Sequence, residues 1–232
     1  ANFGCIFYLK MQYEPEDTLA DEDHKIDKSV GTLTGKLKRF IAYDSLSEFS
    51  FHVSGPLMMV YWLRDLHFNY IELAILINVS QLLGLFSMRY WGKRIDSTGS
   101  YNTIRFTSFW IAILPLFWVG LFYLPKELSL PCAIVIASLA SLMFSGRALA
   151  LDNRLYEHME NKKMIKVTSK RIFFRGLSIF IGGLLGGILT RDEINLVSIT
   201  QVDNVIHFVM IFSAVLRLSV WGIFLNSKNS QI

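Results

Sequence analysis

Ionisable side chains occur in a stretch of this sequence that is otherwise apolar enough to lie in a membrane. Glu48 and His52 are four residues apart, so both lie on one face if the stretch is helical. A carboxylate beside an imidazole can carry a proton, or it can bind a cationic or hydrogen-bonding solute. Ionisable groups at membrane depth are costly and often mark such pathways. The structural alternative is that Glu48 extends to the membrane interface while His52 hydrogen-bonds a neighbouring helix.

Three further polar residues occur in later apolar stretches. Asn78 and Gln81 are close to one turn apart, and they either face the same pathway or hold two helices together. Arg217 can bind an anionic group, pair with a carboxylate such as Glu48, or extend toward the interface. We therefore predict a solute or proton pathway formed by Glu48, His52, Asn78, Gln81 and Arg217.

Motifs for other chemistries are absent from the sequence. It contains no HExxH, no cluster of cysteine and histidine, and no GxSxG. The two cysteines, Cys5 and Cys132, indicate neither a disulfide framework nor a metal site. We therefore predict that the protein is not an enzyme and has no metal and no cofactor. The net charge of +4 does not indicate nucleic acid as a partner, because the basic residues lie in short stretches between apolar runs.

The composition requires a hydrophobic environment for much of the chain. Of the 232 residues, 52% are hydrophobic and only 18% are charged, against roughly 45–50% and 25% in soluble domains. Long apolar runs alternate with short basic stretches, which predicts helices that cross a lipid bilayer. The six predicted spans are residues 41–63, 69–91, 103–124, 127–150, 168–190 and 205–225. The predicted fold class is an all-α, multi-pass membrane protein with six transmembrane helices.

Lysine and arginine are concentrated on one side of these spans. The basic segments precede the first span, separate the second from the third and the fourth from the fifth, and follow the sixth. The positive-inside rule therefore places both termini of the six-helix unit in the cytoplasm. Residues 1–9 are predicted to be the end of a preceding transmembrane helix, 10–39 a cytoplasmic linker, 40–226 the six-helix domain, and 227–232 a cytoplasmic tail.

The fifth span contains two overlapping GxxxG pairs, Gly182 with Gly186 and Gly183 with Gly187. Small residues at this spacing let two helices approach closely, so we predict a packing role for these glycines. They also suggest an alternative for the whole protein, in which the fifth span forms a dimer interface. That alternative is a non-transporting six-span assembly or interaction protein, or a subunit of a larger permease.

The sequence after the second span has a characteristic spacing of glycine and aspartate. Gly92 is followed by Asp96 four residues later and by Gly99 three residues after that, with Lys93 and Arg94 between them. This pattern resembles the loop signature of the major facilitator superfamily, which lies between the second and third helices of each six-helix half. Serines stand where the signature usually has basic residues after the aspartate and after the second glycine.

The resemblance covers the chain from about residue 40 and implies the C-terminal half of a secondary transporter. It implies two inverted three-helix repeats and a missing N-terminal six-helix half as a partner. The mechanism that it implies is alternating access, in which the two halves move a small solute across the membrane around a central site. It also gives Asp96 a gating role, and we predict that Asp96 contacts Arg147 at the inner end of the fourth span.

Overall fold

The computed structural model describes residues 35–157, 161–190 and 205–226, and all the regular elements in these ranges are helical. The predicted end of a preceding helix (1–9), most of the predicted linker and the predicted tail (227–232) lie outside the described residues. The helices are α1 (Gly35–Ser54), α2 (Leu57–Val60), a π-helix, π1 (Tyr61–Asp65), α3 (Tyr70–Thr98), α4 (Ser100–Leu121), α5 (Lys126–Glu157), α6 (Asn161–Leu189) and α7 (Val205–Leu225).

Five helices are long and apolar enough to cross a membrane, which confirms the coarse prediction of a multi-pass membrane protein. They are α3, α4, α5, α7 and the part of α6 from Val167 to Leu189. Helix α7 coincides with the predicted sixth span, whereas α3 continues to Thr98 instead of residue 91 and α5 to Glu157 instead of residue 150. Long apolar runs determine these helices because backbone N–H and C=O groups must be bonded within the segment when no water is present.

The first predicted span is interrupted and is not among the five. Helix α1 ends at Ser54, Gly55 and Pro56 form a turn, and the chain then continues through α2 into π1. Proline has no backbone N–H to donate to the carbonyl four residues earlier, so a regular helix cannot pass through Pro56 unchanged. Helix α1 also carries the buried Asp44 and Glu48, which lower its hydropathy.

The helices pack in a defined order of neighbours. The most extensive pairs are α3 with α5 and α1 with α6. Helix α4 packs against both α5 and α7, and α7 also packs against α1, whereas α3 with α4 and α6 with α7 make the smallest of these contacts. Helices α4 and α7 therefore connect the α3–α5 pair to the α1–α6 pair.

The connection between the second and third predicted spans is much shorter than the sequence suggested. Helix α3 begins with a capping box, in which Asn69 accepts from the Glu72 N–H and the Glu72 carboxylate accepts from the Asn69 N–H. It then continues through Gly92 and Asp96 to Thr98, so the predicted loop is helical. Only Gly99 separates α3 from α4, and its φ of 84° is a conformation that glycine adopts without strain.

Two glycines of α6 permit its close approach to α1. A methyl group at Gly186 would overlap the Val53 carbonyl oxygen of α1, and one at Gly182 would lie 2.6 Å from the Phe49 carbonyl oxygen. Gly183 is half-buried and Gly187 is exposed, with open space around its Cα. The predicted packing role therefore holds for the Gly182–Gly186 pair within this chain, while Gly183 and Gly187 contribute little to it.

Candidate functional site

Two acidic side chains of α1 face two arginines of α6. Asp44 and Glu48 are one turn apart on α1, and Arg171 and Arg175 are one turn apart on α6. Nε of Arg171 lies 2.7 Å from Asp44 Oδ2, and Nη2 of Arg175 lies 3.2 Å from Glu48 Oε1. The equal spacing on the two helices allows both ion pairs to form at one interface.

Arg147 of α5 joins the same cluster. Its Nη2 lies 3.5 Å from Asp44 Oδ1 and its Nη1 lies 3.3 Å from Glu48 Oε1. The Arg147 side chain is 4% exposed and the Asp44 side chain is 0% exposed, so these charges are removed from solvent. Burying a charge is costly unless the charge is paired. The cluster therefore ties α1, α5 and α6 together through mutually dependent side chains.

His52 continues the polar face of α1 by one more turn. Its Nδ1 lies 2.9 Å from the backbone carbonyl oxygen of Glu48 and 3.8 Å from Glu48 Oε2. The carbonyl can only accept, so the close contact requires a proton on Nδ1. The predicted carboxylate–imidazole neighbours are thus adjacent in space, and Glu48 is shared between His52 and two arginines.

Arg217 of α7 is held in a different way, by neutral oxygens. Its Nε donates to the Ser213 hydroxyl at 3.1 Å and its Nη2 donates to the Ser54 hydroxyl at 3.0 Å. Its Nη1 donates to the carbonyl of Ile111 at 3.2 Å. Pro115 lies four residues after Ile111, so that carbonyl has no N–H partner within α4. Arg217 supplies the missing donor, which explains part of its placement.

An aromatic ring lies beside both buried guanidiniums. The guanidinium carbons of Arg147 and Arg217 lie 4.8 and 5.0 Å from the centroid of the Phe51 ring. Phe144 meets the same ring edge-on, with 5.3 Å between ring centroids. Cations at this distance from an aromatic ring are attracted by its quadrupole. Phe51 therefore provides an apolar surface that tolerates positive charge.

These side chains surround a cavity of about 420 Å³. Its lining residues come from α1, α4, α5, α6 and α7, together with Gly55 and with Met58 of the short helix α2. Its charged lining residues are Glu48, Arg147, Arg175 and Arg217. The remainder is largely apolar and includes Leu114, Trp118 and Phe144. A mainly apolar cavity of this size with a few polar groups is typical of a small-molecule site.

The cavity includes three of the five predicted pathway residues. Glu48, His52 and Arg217 line it. Asn78 and Gln81 are exposed on the surface of α3, which contributes no residue to the cavity, and the Asn78 amide donates to the Ala74 carbonyl of its own helix. The sequence left three alternatives for Arg217: binding an anionic group, pairing with Glu48, or extending toward the interface. The ion pair with Glu48 is not formed.

The predicted contact between Asp96 and Arg147 is not formed. Arg147 makes its ion pairs with Asp44 and Glu48, whereas Asp96 is exposed near the end of α3. Arg147 is buried inside the bundle beside the acids of α1, whereas the Asp96 side chain is on the surface of α3. The corner at Gly99 instead contacts α5 through a hydrogen bond from the Ser100 hydroxyl to Glu157 Oε1, at 2.6 Å.

Sequence reasoning missed Arg171 and Arg175 as site residues because it counted them only as loop cations. Their spacing of four residues matches the spacing of Asp44 and Glu48, and this match was the available signal. Ser54 and Ser213 carried no signal, since isolated serines are common in membrane helices. Among the described residues, no group of three histidine, cysteine or acidic side chains could hold a metal ion.

Comparison with protein-family models, curated proteins and solved structures gave no match to this chain.

Proposed function

We propose that this chain is part of a secondary active transporter that moves a small solute across the membrane by alternating access. The observation that carries this proposal is the cavity of about 420 Å³, which lies among membrane-spanning helices and is lined by Glu48, Arg147, Arg175 and Arg217. Charged side chains are expensive in a bilayer and persist where a pathway or site needs them. The interrupted helix beside the cavity is also typical of transporters, in which irregular backbone borders a cavity.

The pattern of helix neighbours supports a repeat. Exchanging α1 with α5, α3 with α6 and α4 with α7 leaves the set of packed pairs unchanged. The α1–α6 pair becomes the α5–α3 pair, α1–α7 becomes α5–α4, and α4–α7 becomes itself. Two three-helix repeats would produce such a pattern. On this proposal the segment from α1 to π1 is the sixth span, and the chain is the C-terminal half of a major facilitator superfamily transporter with both termini cytoplasmic.

The interaction-protein alternative is less well supported by the packing. Its dimer interface was expected on the glycines of the fifth span, and Gly182 and Gly186 are already buried against α1. Of the other pair, Gly183 is half-buried and only Gly187 is exposed with open space around it. A second chain could therefore use only part of the glycine-rich face of α6.

Alternating access can be tested without knowing the solute. Single cysteines replace Met58 and Phe144, which line the cavity, in a background without Cys5 and Cys132. A membrane-impermeant thiol reagent is then applied to the full natural protein in intact cells and in inside-out vesicles. We expect both positions to react from both sides of the membrane. Reaction from one side only would contradict the proposal.

A buried position serves as the control for this experiment. Val209 of α7 is completely buried and does not line the cavity. A cysteine there should not react from either side unless the protein is unfolded.

Proton coupling through Glu48 or His52 stays a prediction. It would be wrong if solute uptake driven by a pH gradient were unchanged in both Glu48→Gln and His52→Ala.

A further inference from the structure

Among the residues that the structure describes, the charges around the cavity do not cancel. Four arginines of α5, α6 and α7 belong to the cluster or to the cavity lining, and three carboxylates among the described residues pair with them. The arginines are Arg147, Arg171, Arg175 and Arg217, and the carboxylates are Asp44, Glu48 and Asp152. With His52 neutral, one positive charge remains. The remaining charge belongs to the arginine that contacts no carboxylate, which is Arg217.

The unbalanced charge of Arg217 is buried and lies at the cavity. The residue is 9% exposed and lines the cavity. Its contacts with Ser54, Ser213 and the Ile111 carbonyl satisfy hydrogen-bond donors but provide no negative charge. A purely structural role, as a donor to the carbonyl freed by Pro115, would not require a permanent charge. A guanidinium is always protonated and is suited to binding a carboxylate or phosphate.

Arg147 is a second arginine on the lining of the same cavity. Its two Nη atoms are occupied by Asp44 and Glu48, and its Nε is buried without a hydrogen-bond partner. A buried donor without a partner is costly. Two guanidiniums of different helices, α5 and α7, thus border one cavity and favour an anion there.

We propose that the cavity binds a small monocarboxylate with an apolar body. Its carboxylate would lie on Arg217, where it would neutralise the single excess charge, and its apolar part would lie against Phe51, Phe144 and Trp118. A monoanion fits the charge balance better than a phosphate, which carries more negative charge. This inference rests on the proposed function in naming the carboxylate as the transported solute, but binding itself can be measured separately.

The experiment compares matched acids and amides. The full natural protein is purified in detergent, and its thermal unfolding is followed with increasing concentrations of acetate, isovalerate, octanoate, benzoate and phenylacetate. The corresponding neutral amides and inorganic phosphate are measured in parallel. We expect at least one aliphatic or aromatic acid larger than acetate to raise the unfolding temperature saturably, because a ligand of the folded state stabilises it. Its amide should have no effect.

Variants of Arg217 then locate the binding. Arg217→Gln should abolish stabilisation by the acid, and Arg217→Lys, which keeps the charge without the planar fork, should weaken binding by about tenfold to a hundredfold. The matched control is Arg105→Gln, since Arg105 is an exposed arginine that bonds to Asn226 outside the cavity. This variant should bind the acid as the unchanged protein does.

The outcomes separate this inference from the proposed function. Equal effects of acids and amides, or stabilisation by phosphate alone, would overturn the monocarboxylate proposal even if cavity cysteines react from both sides of the membrane. Binding of an acid that is unaffected by both Arg217 variants would also overturn it. Arg217-dependent binding together with one-sided cysteine labelling would instead support the site and remove the transport mechanism. Because acid and amide are compared on the unchanged protein, the test survives even if Arg217→Gln does not fold.

Discussion

The two most extensive helix pairs both pack through small residues, but only the α1–α6 pair also contains ion pairs. In the α3–α5 pair, Gly84 allows Ser141 and Ser145 to approach, and the Trp91 ring lies against Gly146. In the α1–α6 pair, Gly182 and Gly186 allow contact with α1 backbone carbonyls, but the two helices are also joined by the ion pairs Arg171–Asp44 and Arg175–Glu48. Close packing therefore accounts for one pair completely, whereas the other also contains charges that packing does not require.

On the proposed function, the additional charges of the α1–α6 pair belong to the site. Small residues provide helix contact at little cost in a bilayer, so a purely structural α1–α6 pair could have been built as α3–α5 is. The charges of Asp44, Glu48, Arg171 and Arg175 lie instead beside the cavity. The comparison makes four predictions, which separate the contribution of charge from that of packing.

The largest effect is expected for Arg147→Gln. This substitution leaves Asp44 and Glu48 with one fewer cation, and breaking a buried ion pair costs about 3–5 kcal/mol. Chemical unfolding in detergent measures the change, with Arg154→Gln as the control, since Arg154 pairs with the partly exposed Glu157 and its loss should cost less than about 1 kcal/mol. Partial recovery in the Arg147→Gln, Glu48→Gln double variant would confirm that charge imbalance is the cause. Equal effects of the two single variants would remove the distinction between the helix pairs.

Gly186→Leu should be next, at about 3 kcal/mol, because overpacking against backbone is hard to relieve. The α1 carbonyl at Val53 cannot rotate away from the new side chain. Gly187→Leu is the matched control on the exposed face of α6 and should leave the folded, monodisperse fraction unchanged in size-exclusion chromatography. If Gly187→Leu were the more harmful variant, α6 would present its other face to a partner.

The two glycines of the motif at the end of α3 should respond in opposite directions. Gly99→Ala should destabilise by about 1–3 kcal/mol, because its φ of 84° is strained for other residues. Gly92 is inside α3 with open space around it, so Gly92→Ala should stabilise by about 0.5–1 kcal/mol through helix propensity. The unfolding temperatures of the two variants check the sign. Destabilisation by both would mean that Gly92 meets a partner outside the described residues.

The smallest destabilisation is expected for Gly84→Ala in the α3–α5 pair, at about 1 kcal/mol. The atoms that a new methyl group would meet are the hydroxyls of Ser141 and Ser145, which can rotate away, unlike a backbone carbonyl. Gly176→Ala, in open space on α6, is the control and should not destabilise. A loss for Gly84→Ala as large as that for Gly186→Leu would show that α3–α5 is packed as rigidly as α1–α6.

The sequence predicted the membrane helices well because the signal is local. Each long apolar run must satisfy its own backbone hydrogen bonds in lipid, so the positions of α4, α5 and α7 followed from composition along the chain. The shared face of Glu48 and His52 also followed from the sequence, since helical spacing alone puts them together.

Only the tertiary structure decided which charges meet. The resemblance of the Gly92–Gly99 motif to a known loop signature implied that Asp96 and Arg147 are partners, but Arg147 is buried beside α1 and pairs with Asp44 and Glu48. Arg171 and Arg175 looked like loop cations and prove to face the same acids. The sequence determines the helices because their hydrogen bonds are local. Ion pairs between helices depend on which faces are packed together, and that is set by contacts among residues distant in the chain.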